Sequence, residues 1–486
     1  MALKSTGGIF LQKTKNTSKE DILSYDCPSS VKIGLPSGCS SVVSEGDTVS
    51  RFQKIACDEN GFGVFASIPG VVTACGDSFV SIENDMSQNE CEPDPEKPQS
   101  MDDINFDTLV EYCKRYGIRG AYSGTPLYKK ILSAHENCAR IIINCIESDP
   151  YSGHVRALVR TCAKEIVLGA KILMFGMGVK KCVFAVGSTY SAAGNALKDA
   201  IDKTRGMVIA PVKEKYPVGN EYILLNAIYR KELSRADSVE SQGYPVISAE
   251  TVYELFNSLR SGLPSVYKLL TATGAGFSKS CNYRVPSGSV ISDIADVIGT
   301  NGKYTPSFAL GGPMNSIAVD RNEHIRSNTN MLYAFKYRKN YPVACIRCAR
   351  CAHFCPMNLV PYLLHENYQG DAPEKSVKYG LYNCIECGIC AYMCVGKLDL
   401  LAEIRAQKEA LASDELDPED NEADETAEET SSGGSEDVSE ETPEESADEL
   451  PQSIDDVKQV SDIPEPEDDG AESEDNIKVS GEEKDE

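Results

Sequence analysis

Apolar residues are spaced differently in successive stretches of this chain, and the spacing divides it into blocks. In residues 1–88 they form short runs, such as Val31-Lys-Ile-Gly-Leu and Val71-Val-Thr-Ala-Cys, cut by Gly, Pro, Asp and Ser. That pattern predicts an all-β block. Residues 89–105, with Glu92-Pro-Asp-Pro-Glu-Lys-Pro, read as a linker. From 106 to 232 strand and helix patterns alternate. Ala139-Arg-Ile-Ile-Ile-Asn, Lys181-Cys-Val-Phe-Ala-Val-Gly and Met207-Val-Ile-Ala-Pro-Val read as buried strands, and 155–177 and 191–203 have helical periodicity. Such alternation implies a mainly parallel sheet. Residues 233–300 read as a small α+β module. It has a helix over 251–261, a strand over 267–274, and a second helix starting near Ser292 or Asp293. A connecting segment, 301–340, contains the turn Gly311-Gly-Pro-Met.

Composition changes this picture at one end. The 486 residues carry a net charge of −26, but residues 411–486 hold 32 acidic residues against 3 lysines, a net −29. The rest of the chain therefore nets +3. Residues 412–486 have no aromatic residue and no Cys, and predict a disordered acidic tail. No run of about 18 apolar residues occurs, so no transmembrane helix is expected. The stretch richest in apolar residues, 172–186, is broken by Gly176, Gly178, Lys180 and Lys181. The N-terminus lacks the pattern of a signal peptide, so the 19 Cys are expected to meet a reducing compartment. The tail repels phosphate and the body shows no basic stripe, which disfavours nucleic acid.

Residues 341–411 contain the strongest signal. Cys345-x2-Cys348-x2-Cys351-x3-Cys355-Pro is repeated 39 residues later as Cys384-x2-Cys387-x2-Cys390-x3-Cys394. Structural zinc sites pair C-x2-C units across a long gap, whereas three evenly spaced thiolates plus a fourth suit a 4Fe–4S cubane. The pattern is that of bacterial two-cluster ferredoxins. That resemblance implies crossed ligation: Cys345, Cys348, Cys351 and Cys394 for one cluster, Cys384, Cys387, Cys390 and Cys355 for the other. Pro356 follows Cys355, but Val395 follows Cys394. The remaining 11 Cys show no such spacing and read as buried thiols.

Other phrases extend the resemblance. Val43-Ser-Glu-Gly-Asp-Thr-Val and Ala66-Ser-Ile-Pro-Gly-Val-Val resemble lipoyl-carrier sandwiches, although 55–65 has no Lys for a lipoyl group. With Gly7-Gly-Ile, Lys215-Tyr-Pro-Val-Gly-Asn-Glu221, Gly311-Gly-Pro-Met314 and Cys384-Ile-Glu-Cys-Gly, the chain resembles the RnfC family of Rnf ion-translocating electron transport complexes over residues 5–410. The resemblance implies a multidomain α/β and α+β fold. Its parts are a lipoyl-like β-sandwich, a Rossmann-like domain similar to the complex I flavoprotein, a β-grasp-like SLBB module and a two-cluster ferredoxin domain. It also implies a peripheral electron-transfer subunit on the cytoplasmic face of the membrane. Its partners would be the other subunits of the complex and a ferredoxin-type carrier.

The cofactor-binding positions carried over from the family are Gly120, Gly124, Glu147, Asp149, Tyr216, Gly219 and Glu221. Here the chain departs from the pattern. In Gly117-Ile-Arg-Gly120-Ala-Tyr-Ser-Gly124-Thr-Pro126, Tyr122 and Ser123 stand where the family's flavin loop has glycines. Asn144-Cys-Ile-Glu147-Ser-Asp149-Pro150 replaces a Gly by Cys145 and shortens a Glu to Asp149. Glycine serves such loops by close backbone approach to phosphate and ring, so the departure speaks against bound FMN and against NADH. The expectation is a relay through two 4Fe–4S clusters. The alternative is an FMN-dependent NADH oxidoreductase entry subunit, or a cobalamin-reductase-like flavoprotein.

Overall fold

The computed structural model describes residues 3, 7–11, 16–189, 191–202 and 204–414. The expected acidic tail lies outside them from 415 onward. Its expected start at 412 falls inside a helix, Leu400–Asp414.

The N-terminal block folds as two small antiparallel sheets. Ser30–Gly34, Phe79–Asn84, Gly70–Gly76 and Thr48–Val49 form one, and Cys39–Ser41, Lys54–Asp58 and Gly63–Phe65 the other. Alternation fixes the register: Val31 faces Ile82 and Ile33 faces Val80, with all four side chains buried. Ile22–Ser24 belongs elsewhere and runs parallel to Cys281–Pro286.

The α/β layer is a four-stranded parallel sheet in the order Met207–Val212, Cys182–Gly187, Ile141–Cys145, Val246–Ser248. All five residues of Ile141–Cys145 are buried, because helices cover both faces of such a sheet. The helical stretch expected over 155–177 is two helices, His154–Thr161 and Ala163–Gly176, separated at Cys162. The expected boundary at 232/233 cuts through this layer. Val246–Ser248 pairs with Ile142 to Asn144, and the next helix, Ala249–Ser261, is capped by the Ser248 hydroxyl accepting from the Thr251 N–H.

A mixed six-stranded sheet follows, ordered Ile22–Ser24, Cys281–Pro286, Tyr267–Thr273, Met331–Phe335, Ser307–Leu310, Ile317–Val319. Three of its strands come from the segment expected only to connect, 301–340. Helix Ile291–Ile298 buries Ile291, Ile294 and Ile298 against this sheet. Neither Ser292 nor Asp293 caps it. Val290 holds the N-cap, and the Asp293 carboxylate accepts from the Ser29 N–H of the N-terminal block. The C-terminal module is helical, with Leu364, Leu381, Leu400 and Ile404 buried around Cys351 and Cys390.

One short segment joins the α/β layer to this last module. Ile9 and Tyr216 exchange two backbone hydrogen bonds of 3.0 and 2.9 Å, and the Gly8 N–H donates to the Phe354 carbonyl at 3.0 Å. Gly8 has φ +78°, and a Cβ there would lie 2.4 Å from the Tyr216 carbonyl oxygen. Gly8→Ala is therefore expected to cost about 1–3 kcal/mol in urea unfolding. Gly178→Ala, at φ +65° with open space around it, should cost only the left-handed strain of ~1 kcal/mol.

Glu254, on helix Ala249–Ser261, supplies a pH test. Burial raises its carboxyl from the ordinary 4.5 to about 7; Arg284 opposes the shift and Glu250 adds to it. The folded state then keeps a proton that the unfolded chain has released. Stability contributed there is present below pH 4.5 and is lost as the pH rises toward about 7. Glu254→Gln should flatten that fall in melting temperature and be the more stable form at pH 8.

Candidate functional site

Two sets of four cysteines each ring a small cavity. Cys345, Cys348, Cys351 and Cys394 line one, and Cys355, Cys384, Cys387 and Cys390 line the other. The structure thus brings together the crossed groups expected from the sequence. The two loops repeat one another in backbone conformation. Arg347 and Glu386 have φ of 51° and 54°, Ala349 and Gly388 have 57° and 74°, and Asn358 and Lys397 both have 55°. In each loop an N–H, of Arg347 or of Glu386, points at the sulfur two residues before it, Cys345 or Cys384, at 3.4 Å. Left-handed residues at these positions turn the loop so that successive thiols face inward. Burial pushes the Cys387 thiol up to about 12, so the bare protein holds it as a thiol at neutral pH. Metal binding would have to displace that proton.

The surroundings of the loops differ. Cys348 is exposed, whereas Cys390 is buried and Cys387 half-buried. The second loop is wedged against the Gly311–Met314 turn. A Cβ on Gly388 would lie 1.8 Å from the Met314 carbonyl oxygen, whereas the equivalent Ala349 stands in solvent. Only the second loop needs glycine there.

A larger cavity of about 510 Å³ adjoins the second set, and Cys387 and Ile385 line both. Its wall includes Gly120, Asp149, Tyr216, Gly219 and Glu221. Near the end of strand Ile141–Cys145, Asn144 accepts at Oδ1 from the Ile146 N–H and donates from Nδ2 to the Gly219 carbonyl. These bonds hold the turns at 146–149 and 217–220 together. The Tyr216 hydroxyl donates to the Cys387 carbonyl at 2.7 Å. Gly124 lies behind the wall with φ +70°, closing the turn that Gly120 opens. The Asp149 carboxyl is raised by burial, although the Ser148 hydroxyl and His154 pull the other way.

Glu147 is not brought to this wall. Its carboxylate accepts from the Arg156 N–H at 3.0 Å and from the Ser152 hydroxyl at 2.7 Å. Helix His154–Thr161 begins at Gly153 without a side-chain cap, and Glu147 supplies one from a distance. Carried over as a cofactor residue, Glu147 turns out to hold the helix start beneath the cavity.

The residues that sequence reasoning missed are cations. Lys130, Arg235, Arg326 and Arg405 all line the cavity, brought from four separate segments with no shared spacing. Lys130 bridges Glu221 at 2.8 Å and Glu240 at 2.5 Å. Burial alone would lower its pKa, but the two carboxylates carry it above the ordinary lysine value.

The sequence leaves open that Tyr122 fills the flavin pocket; a cavity of ligand size remains. Two buried polar atoms at its wall, the Tyr122 hydroxyl and Asn330 Oδ1, have no hydrogen-bond partner among the described residues. Unsatisfied buried polar atoms near Arg235 and Arg326, which have no carboxylate partner among the described residues, fit a polar, anionic ligand, and a flavin phosphate is one. The changed loop has left room for it.

Comparison with known proteins agrees with this geometry. The profile of the Nuo51 FMN-binding domain matches residues 113–257, and that of the 4Fe-4S dicluster domain matches 338–395. The C component of the ion-translocating oxidoreductase complex of Buchnera aphidicola subsp. Acyrthosiphon pisum is 25% identical over 309 residues, covering 62% of this chain and 65% of that protein. The C component of the Na(+)-translocating ferredoxin:NAD(+) oxidoreductase complex of Acetobacterium woodii is 27% identical over 402 residues, 79% of this chain and 90% of that one. This chain is similar to the C components of ion-translocating oxidoreductase complexes. The match spans less than two thirds of the Buchnera protein. An air-oxidised NAD+-reducing [NiFe]-hydrogenase chain superposes with a TM-score of 0.47 at 17% identity, over 63% of each chain. Among the described residues no helix is long and apolar enough to cross a membrane.

Gly388→Ala should shed iron from the second set while the first keeps its own. Ala349→Gly should leave the iron content unchanged. Iron assay and electron paramagnetic resonance of the reduced protein read both outcomes.

Proposed function

We propose that the chain is a peripheral electron-transfer subunit of a membrane-bound Rnf-type complex, relaying electrons between a ferredoxin-side and a membrane-side partner. The observation that carries this reading is the pair of four-thiol cavities, one opening to solvent and the other sharing Cys387 with the large cavity. Cys345, Cys348, Cys351 and Cys394 would hold one cluster, and Cys384, Cys387, Cys390 and Cys355 the other. Each 4Fe–4S cluster would supply one-electron chemistry. The chain's own residues hold the thiols, aim one N–H at a sulfur in each loop, and screen the inner site with Tyr216 and the Gly311–Met314 turn. The names of the relatives support a place in an ion-translocating complex. The domain labels fit the same reading: a lipoyl-like sandwich before the linker, an SLBB-type module on the six-stranded sheet, and attachment at the cytoplasmic face through partner subunits.

A second reading is favoured by the large cavity itself. Its size, its four cations and its two unsatisfied polar atoms suit FMN, and a flavin would supply the conversion of a hydride pair into single electrons. Lys130, Arg235, Arg326 and Arg405 would supply positive charge in the cavity wall, with Arg235, Arg405 and Tyr216 standing at the Cys384–Cys387 loop. In that case the chain is an NADH entry subunit.

Anaerobically reconstituted protein should carry about eight iron atoms per chain. Cys348→Ser and Cys394→Ser should alter the same resonance signal, and Cys387→Ser and Cys355→Ser the other. Pairing within one motif instead would sink the crossed assignment, and failure to take up iron would sink the relay. Stoichiometric FMN in the acid extract selects the second reading.

A further inference from the structure

Residues 336–350 contain Lys336, Arg338, Lys339, Arg347 and Arg350, and no acidic residue occurs between Glu323 and Glu366. Every residue from Lys336 to Arg350 except Cys345 is exposed. Among them, Tyr337, Tyr341, Val343 and Ile346 are 61–71% exposed. No basic stripe in the body is expected from the sequence, and this stretch corrects that expectation. Arg347 pairs with Glu366; among the described residues the other four cations have no carboxylate partner.

The stretch sits beside the outer thiol site. The Val343 N–H donates to the Gly396 carbonyl at 2.9 Å, and Asn340 Nδ2 to the Lys397 carbonyl at 2.8 Å. Ile346 and Val395, both exposed, rim the cavity of Cys345, Cys348, Cys351 and Cys394. Large exposed apolar side chains gathered at one place mark a surface that a partner covers. Unpaired cations around them select for an acidic partner and speed its arrival.

We propose that this apron is the docking surface for an acidic one-electron carrier protein, seated over the Cys345–Cys348 side of the outer site. The proposal rests on the relay reading. It favours a redox protein over lipid or nucleic acid because the apron surrounds the exposed Cys348. Electron transfer falls steeply with distance, so a covering that carries no electrons would shut the outer site off. Tyrosines beside cations also suit a protein interface.

The test uses the full reconstituted chain and, as probe, a fluorescently labelled acidic plant-type ferredoxin. Binding is read by anisotropy at low and high salt, and cluster reduction by the reduced probe is read by stopped flow. Wild type should bind at low salt and weaken at high salt. Lys336→Glu/Arg338→Glu/Lys339→Glu should weaken binding and slow reduction by about tenfold or more, and lose most of the salt dependence. The charge-matched control Lys164→Glu/Lys180→Glu/Lys181→Glu, on the exposed surface of the α/β layer, should behave as wild type. Iron content and dithionite reduction should be unchanged in both, which separates this outcome from failure of the relay itself. Equal losses in the two variants, or no binding by wild type, would overturn the proposal. Anionic phosphatidylserine vesicles held by wild type and released by the apron variant would also overturn it, because the surface would then belong to lipid.

Discussion

The molecule depends most on what converges at Tyr216. Its backbone pairs with Ile9, its neighbour Gly8 is pinned to Phe354, and its hydroxyl reaches the carbonyl of Cys387. Four segments far apart in sequence meet there: the N-terminal segment, the turn after strand Met207–Val212, and the two cysteine loops. Each bond is worth only about 1 kcal/mol, but they share one partly buried seam. Loss of any one leaves the others facing polar groups without partners, so the seam is held cooperatively. It also sets the distance between the large cavity and the inner thiols. That distance decides whether anything bound in the cavity can exchange electrons with the inner site.

Around this seam, carboxylates do structural work that resembles cofactor binding. Glu147 caps a helix, and Glu221 and Glu240 hold Lys130 in the wall. The Glu250 carboxylate fixes Lys268, which in turn donates to the Ala121 carbonyl beneath the changed flavin loop. Glu147, Glu240, Glu250 and Lys268 are buried, so each needs a partner to avoid a desolvation cost of several kcal/mol. The consequence is a cavity floor built from paired ions, into which Tyr122 inserts its ring. Tyr122 forms part of that floor and leaves a cavity of about 510 Å³ above it.

What the sequence made legible follows from how strongly physics ties residue type to place. The parallel strands could be read because burial on both faces demands unbroken apolar runs, as in Ile141–Cys145. The cysteine spacing could be read because a cubane admits few arrangements of thiols around a loop. Boundaries were read less well. Val246–Ser248 and Ile22–Ser24 are three residues long, and their sheet partners lie far off in the chain. Nothing local marks them as members of a sheet. The four cations of the large cavity escaped for the same reason. Glu147 caps a helix off the cavity wall, and the sequence does not separate that role from ligand binding because both call for an acid after a strand.

The two thiol sites are twins in their loops and strangers in their surroundings. The N–H···S distances are equal, at 3.4 Å, so this contact gives no reason for the two clusters to differ in potential. Exposure and nearby charge must supply any difference. The inner site has Arg235 and Lys408 on the Cys384 carbonyl, but Lys408 and Arg405 are partly neutralised by Glu386. The outer site has solvent and a cationic apron neutralised, among the described residues, only at Arg347. Positive charge and water both favour the more negative, reduced state of a cluster. A repeated sequence motif is thus set in two different electrostatic surroundings by residues outside it.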